Sequence, residues 1–97
     1  MANLEKASRR FHVLADPIRL RIIKLLQGGE KCVGELTKEL NMSQPKVSYH
    51  LKLMLSAGLI ERRCEGTWCF YSLKPGTKDV IQHECEQLFD TPKAAEG

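Results

Sequence analysis

Leu36-Thr37-Lys38-Glu39-Leu40-Asn41-Met42-Ser43-Gln44-Pro45-Lys46-Val47-Ser48-Tyr49-His50-Leu51-Lys52-Leu53-Met54-Leu55 carries two helical patterns with room between them for only a tight turn. Asn41 tolerates the left-handed conformation that ends a helix, and Ser43 suits the cap that opens the next. Pro45 fits only in a first helical turn, where its missing N–H costs little. Val47, Leu51 and Met54 or Leu55 recur at helical spacing and face a core, which turns Gln44, Lys46, Ser48, Tyr49 and Lys52 outward. This is the pattern of a helix-turn-helix, and the outward groups are of the kind that read base edges and hold phosphates.

Working outward, Leu4, Ala7, Phe11 and Leu14 or Ala15 predict a first amphipathic helix over about residues 3–14. Asp16 as N-cap and Pro17 as first helical residue start a second, which carries Ile18, Ile22, Ile23, Leu25 and Leu26 until Gly28-Gly29. Val33, Leu36 and Leu40 mark a short third helix, and the fourth is expected over 44–57 with Gly58 as its C-terminal cap. Beyond Gly58 the period changes. Residues 59–64 and 68–73 read as strands flanking Glu65-Gly66-Thr67, a β-hairpin of the kind that forms the wing of a winged helix. After Lys74-Pro75-Gly76 a last helix places Ile81, Cys85, Leu88 and Phe89 on one stripe, and residues 91–97 form a short polar tail.

The expected architecture is therefore mainly α with a small β-hairpin: one winged helix-turn-helix domain over 1–97. A chain of 97 residues supports a single small core. The first and last helices carry apolar stripes that it cannot cover, so pairing of two subunits through these helices is expected. A two-fold dimer would set two reading helices about 34 Å apart and call for double-stranded operator DNA with an inverted repeat. The net charge of +3 is mild, so the position of the basic groups carries the nucleic-acid argument. Residues 1–10 hold no apolar run, which argues against a signal peptide or membrane span and for a cytoplasmic protein.

In that reducing compartment the four cysteines, Cys32, Cys64, Cys69 and Cys85, are expected as thiols. A two-residue Glu65-Gly66 turn would pair Cys64 with Thr67 and Arg62 with Cys69. The sulfurs would then be diagonal neighbours on one face, slightly beyond disulfide reach but bridgeable by a soft ion. A three-residue turn would put them on opposite faces. Either pattern also suits two small packed strand residues. Cys85 on the apolar stripe reads first as a buried interface residue, where a thiol could also link ligand binding to dimer geometry. His50, beside the core, is suited either to a phosphate or to a buried partner. Lys46, Lys52 and the wing's Arg62 and Arg63 are expected on phosphates. No Cys-x-x-Cys stands at a helix start, and His83 and Cys85 face different ways, so thiol catalysis is not expected. A winged helix used only for protein contacts is disfavoured by Gln44, Lys46, Ser48 and Lys52.

Three stretches carry a resemblance. They are Leu14-Ala15-Asp16-Pro17-Ile18-Arg19-Leu20-Arg21-Ile22-Ile23, Ser43-Gln44-Pro45-Lys46-Val47-Ser48-Tyr49-His50-Leu51, and Gly66-Thr67-Trp68-Cys69-Phe70-Tyr71-Ser72-Leu73. Together with Cys32-Val33-Gly34-Glu35-Leu36 and Gly58-Leu59-Ile60, they resemble the arsenical-resistance repressor family, ArsR/SmtB. The resemblance implies a homodimeric winged-helix repressor that needs no cofactor to bind DNA and releases it when an inducer binds, often a metal or metalloid such as As(III). Arsenic-responsive members typically show Cys-Val-Cys-x-x-Cys at the start of the third helix; here the stretch reads Cys32-Val33-Gly34-Glu35-Leu36-Thr37, with two of those sulfurs missing. The zinc-type pattern is half present, as His83-x-x-Glu86, while Phe70 to Ser72 supply no first half. Trivalent arsenic wants three thiolates, so Cys32 would need partners among Cys64, Cys69 and Cys85. Reversible disulfide or polysulfide chemistry at the same thiols is the other route to induction.

Overall fold

The structure, a computed structural model, describes residues 3–89. The polar tail expected over 91–97 lies outside the described residues. In chain order the elements are α1 (Leu4–Leu14), α2 (Pro17–Leu26), β1 (Lys31–Cys32), α3 (Val33–Leu40), α4 (Gln44–Ser56), β2 (Ile60–Glu65), β3 (Trp68–Leu73) and α5 (Thr77–Leu88).

Local chemistry sets the helix ends. Asn3 Oδ1 accepts from the Lys6 N–H at 3.0 Å, and Asp16 Oδ1 accepts from the N–H groups of Ile18 and Arg19 at 2.8 and 3.4 Å, satisfying donors that a helix start leaves open. Desolvation raises the Asp16 pKa, but those backbone donors and the Arg19 charge outweigh it and hold the carboxyl below its ordinary value. Asn41 closes α3 at φ 53°, ψ 49°, and the Met42 N–H returns to the Thr37 carbonyl at 3.2 Å. Ser43 opens α4 in extended conformation, with its carbonyl accepting from Val47 N–H at 3.1 Å. Its hydroxyl makes no capping bond, so the side-chain cap expected there is not formed.

The core lies where α2, α3, α4 and the start of β2 meet. Ile22, Leu36, Val47, Leu51, Met54 and Leu59 are fully buried, each stabilising by about 1.5–3 kcal/mol relative to an exposed position. The periodicity of the helix-turn-helix thus selects the residues that the fold buries. It fits the outer helices less well. On α1 the buried residues are Ala7 and Val13, while Leu4 is 61% exposed. On α5 none is buried, and Leu88 and Phe89 are 45% and 80% exposed. These two helices pack against each other, with Arg10 Nη1 on Glu84 Oε2 at 2.6 Å, and keep their outer apolar residues uncovered within one protomer.

The sheet corrects two expectations. It has three strands in the order β1-β3-β2, because Lys31 and Cys32 pair antiparallel with Tyr71 and Phe70. Two residues are too few to give a period, so β1 leaves no signal in the sequence. The hairpin turn is Gly66-Thr67 rather than Glu65-Gly66, with Glu65 opposite Trp68 and Cys64 opposite Cys69. Gly66 takes φ 59° at the first central position, as in the two-residue turns that match strand twist.

Candidate nucleic-acid interface and thiol pair

On α4 the side chains opposite the core stand in solvent. Gln44, Lys46, Ser48, Tyr49 and Lys52 are exposed, as is Ser43 at the cap. Gln44 and Ser48 are one turn apart, which puts an amide able to donate and accept beside a hydroxyl, with lysines on either side. Tyr49 stacks edge-on to His50, ring centroids 5.3 Å apart. His50 itself is half-buried, and its Nδ1 lies 3.2 Å from Arg19 Nη1. Arg19 is 7% exposed and also donates from Nε to the Val13 carbonyl at 2.5 Å. Of the two arrangements open to His50, the described contacts supply the buried partner.

The wing arginines expected to act alike are placed differently. Arg62 is exposed and has no acidic partner among the described residues. Arg63 is held by Glu30 through Nη2–Oε1 at 2.5 Å and Nε–Oε2 at 3.3 Å, bonds also to Glu65, and lies over the Phe70 ring, 4.9 Å from its centroid. The Arg63 hydrogen bond keeps Glu30 below the ordinary carboxylate range, and Glu30 in turn raises Arg63. This clamp joins β2 to the loop before β1. Sequence reasoning missed Arg19 and Glu30. Arg19 stands three residues after a capping aspartate, a spacing that favours contact, whereas nothing local marks Glu30, which lies 33 residues from its partner.

Cys64 and Cys69 are bonded as a disulfide, with Cα atoms 4.1 Å apart. The expected diagonal, thiol-only arrangement is replaced by a directly opposed pair, because moving the turn by one residue moves every pairing with it. Strand alternation puts this pair on the face shared by Arg62 and Tyr71. Cys32 pairs with Phe70 and therefore belongs to the other face. Its N–H donates to Glu35 Oε1 at 3.0 Å, which fixes the first turn of α3 and lowers the Glu35 pKa. Cys85 is half-buried on α5. Two of the four candidate thiols are thus brought together. Among the described residues no group of three or more His, Cys, Asp or Glu side chains is arranged to hold a metal ion, so a three-thiolate arsenic site does not fit one protomer.

A helix-turn-helix with an exposed polar reading face, flanked by a β-hairpin, defines a winged-helix DNA-binding transcriptional regulator. Residues 16–62 match the family described as bacterial regulatory protein, arsR family. The chain is 44% identical over 84 residues to an uncharacterized HTH-type transcriptional regulator of Methanocaldococcus jannaschii, covering 84% of this chain and 94% of that protein. It is 45% identical over 71 residues to the arsenical resistance operon repressor of Bacillus subtilis, covering 72% and 68%. Among solved structures, the homodimeric winged helix-turn-helix DNA-binding domain of a possible ArsR-family regulator from Mycobacterium bovis superposes with TM-score 0.73 at 30% identity, covering 88% of this chain and 84% of that one. The chain belongs to the ArsR family of transcriptional regulators. These relatives are regulators of transcription and not enzymes. No helix among the described residues is long and apolar enough to cross a membrane.

Proposed function

We propose that two copies of this chain, paired through α1 and α5, repress transcription by seating α4 of each subunit in successive major grooves of an inverted-repeat operator. The observation that carries this reading is the exposed row on α4. In this reading Gln44 and Ser48 contact base edges, Ser43, Lys46, Tyr49 and Lys52 hold phosphates or flanking bases, and Arg62 meets the backbone from the wing; all seven are exposed. His50, backed by Arg19, adds a ring N–H, and Arg63 serves the wing's anchorage more than its phosphate contact. Dimerisation is supported by the uncovered Leu4, Val80, Leu88 and Phe89, and by Glu84 Oε1, which is buried with no hydrogen-bond partner in the protomer. The family and the absence of a membrane-spanning helix among the described residues fit a cytoplasmic site of action.

Induction is drawn at the thiols. Metalloid induction by As(III) is supported by the arsenical-resistance repressors among the relatives. The opposed Cys64 and Cys69 favour a second reading, in which their reversible oxidation to a disulfide alters the wing and releases DNA. A gel-shift titration with the protein's own promoter, in which arsenite in excess reductant should also release the dimer if the metalloid reading holds, tests both. Reduced dimer should bind, peroxide should release it, and dithiothreitol should restore binding. Retention of the complex under peroxide with the disulfide formed would discard the redox reading. Failure of the reduced protein to bind that DNA at low salt would discard the repressor.

A further inference from the structure

Resting on the repressor reading above, we propose that an apolar recess beside the reading row of α4 takes the C5-methyl group of a thymine, so that each subunit selects one thymine by its methyl. The recess has a volume of about 590 Å³ and opens to solvent where the start of α2 and the turn before α4 meet α4 itself. Ile18, Met42, Pro45 and Tyr49 form its apolar walls, and Lys46 and His50 complete the lining. Ile18 and Met42 also pack against the core, so those walls are fixed by the fold. Tyr49 is exposed, yet its ring is braced. It stands edge-on to His50, with ring centroids 5.3 Å apart and the planes at 73°, and Arg19 Nη1 holds His50 Nδ1 at 3.2 Å. A ring braced in this way gives up little freedom when a ligand covers it.

Position on α4 selects the occupant. Gln44 and Ser48 make one column of the helix face, and Pro45 and Tyr49 make the next, each pair one turn apart. A helix that sets the first column against base edges brings the second to the edges of a neighbouring base pair. The major groove offers donors and acceptors on every base pair but only one apolar group, the thymine methyl. Walls of isoleucine, methionine, proline and an aromatic ring match that group and no other on the groove floor. Charge agrees with this occupant. The lining includes Lys46 and no carboxylate, so the recess can close on a duplex without setting an acid against phosphate. Its volume exceeds that of a methyl and leaves room for the base edge that carries one.

The test uses the full-length reduced chain and duplexes of its own promoter footprint in which deoxyuridine replaces each thymine in turn. Deoxyuridine lacks the methyl and keeps every hydrogen-bonding group, so the comparison isolates the apolar contact. Fluorescence anisotropy should find a thymine whose replacement weakens binding about fourfold in one half-site, the worth of one buried methyl, and about fifteenfold in both. In Tyr49→Ala that loss should shrink below about twofold, because the wall that meets the methyl is gone. Tyr49→Phe should keep the full loss, since the ring and not the hydroxyl makes the wall. Pro45→Ala trims another wall and should also reduce the loss, which keeps the comparison open if Tyr49→Ala binds too weakly to measure. Lys52→Ala should weaken binding to both duplexes and preserve their ratio. Equal affinity for every deoxyuridine duplex, or a loss undiminished in Tyr49→Ala and Pro45→Ala, would overturn the proposal and leave the repressor reading standing. No preference for the promoter over unrelated DNA would remove that reading and this one with it.

Discussion

The buried guanidinium of Arg19, on α2, fixes the ring of His50 on the reading helix, Nη1 to Nδ1 at 3.2 Å. Arginine can only donate, so Nδ1 must accept and the ring proton sits on Nε2. Because Arg19 also donates to the Val13 carbonyl, one side chain ties the end of α1 to α4. Arg19→Met should therefore leave a buried carbonyl and an imidazole nitrogen unpaired. A loss of about 1.5–3 kcal/mol is expected, read as a lower urea midpoint at unchanged slope.

Specificity and affinity should separate on α4. Gln44→Ala is expected to lose about 1–3 kcal/mol against the operator while leaving nonspecific DNA affinity unchanged. Lys52→Ala should instead weaken both alike. For a dimer closing on roughly 6–10 phosphates, the log–log dependence of affinity on salt should slope at about −5 to −9. Fluorescence anisotropy across a salt series checks all three, and a flat response would refute phosphate contact.

Charge placed on the uncovered helix faces should split the dimer. Leu88→Glu would put a carboxylate where an apolar residue, 45% exposed in the protomer, is proposed to meet its partner. The dimer dissociation constant should rise at least about tenfold, equivalent to roughly 1.4 kcal/mol. Sedimentation velocity gives the answer, with circular dichroism to check that the monomer keeps its fold.

Acid should loosen the wing and the start of α3. Glu30 is held below its ordinary pKa by Arg63, and Glu35 by the Cys32 N–H. Both carboxyls bind fewer protons folded than unfolded, so their stabilisation is complete above the unfolded value of about 4.3 and is lost as the pH falls through the lowered folded values. Hydrogen exchange below about pH 4 should show wing amides and the first turn of α3 opening ahead of the core. Glu30→Gln should reproduce the wing's share of this change at neutral pH. Equal protection of wing amides in that variant would contradict the clamp.

Most of the fold was legible because its signals are local. Asp16-Pro17, Asn41 and Gly58 mark helix ends by their own chemistry, and Val47, Leu51 and Met54 report a buried face by spacing alone. The outward row on α4 followed from the same spacing. What escaped depends on contacts between distant residues or on a single step of register. Glu65-Gly66 and Gly66-Thr67 are both plausible turn pairs by composition, and only the pairing of the complete strands decides between them. That one step separates diagonal cysteines from opposed ones. The contrast between Arg62 and Arg63 depends on Glu30, far away in sequence, so two adjacent arginines looked alike. Strand β1 left no trace because two residues have no period.

That short strand joins parts that look independent. Cys32 is at once a rung of the sheet, opposite Phe70, and the residue whose N–H locks onto Glu35 at the start of α3. Phe70 adjoins Cys69 in sequence and lies beneath Arg63. The hairpin and the first turn of α3 therefore meet at Cys32, through its pairing with Phe70 and its N–H on the Glu35 carboxylate. A strand of only two residues thus couples the wing to the front of the helix-turn-helix, and the two are expected to shift together.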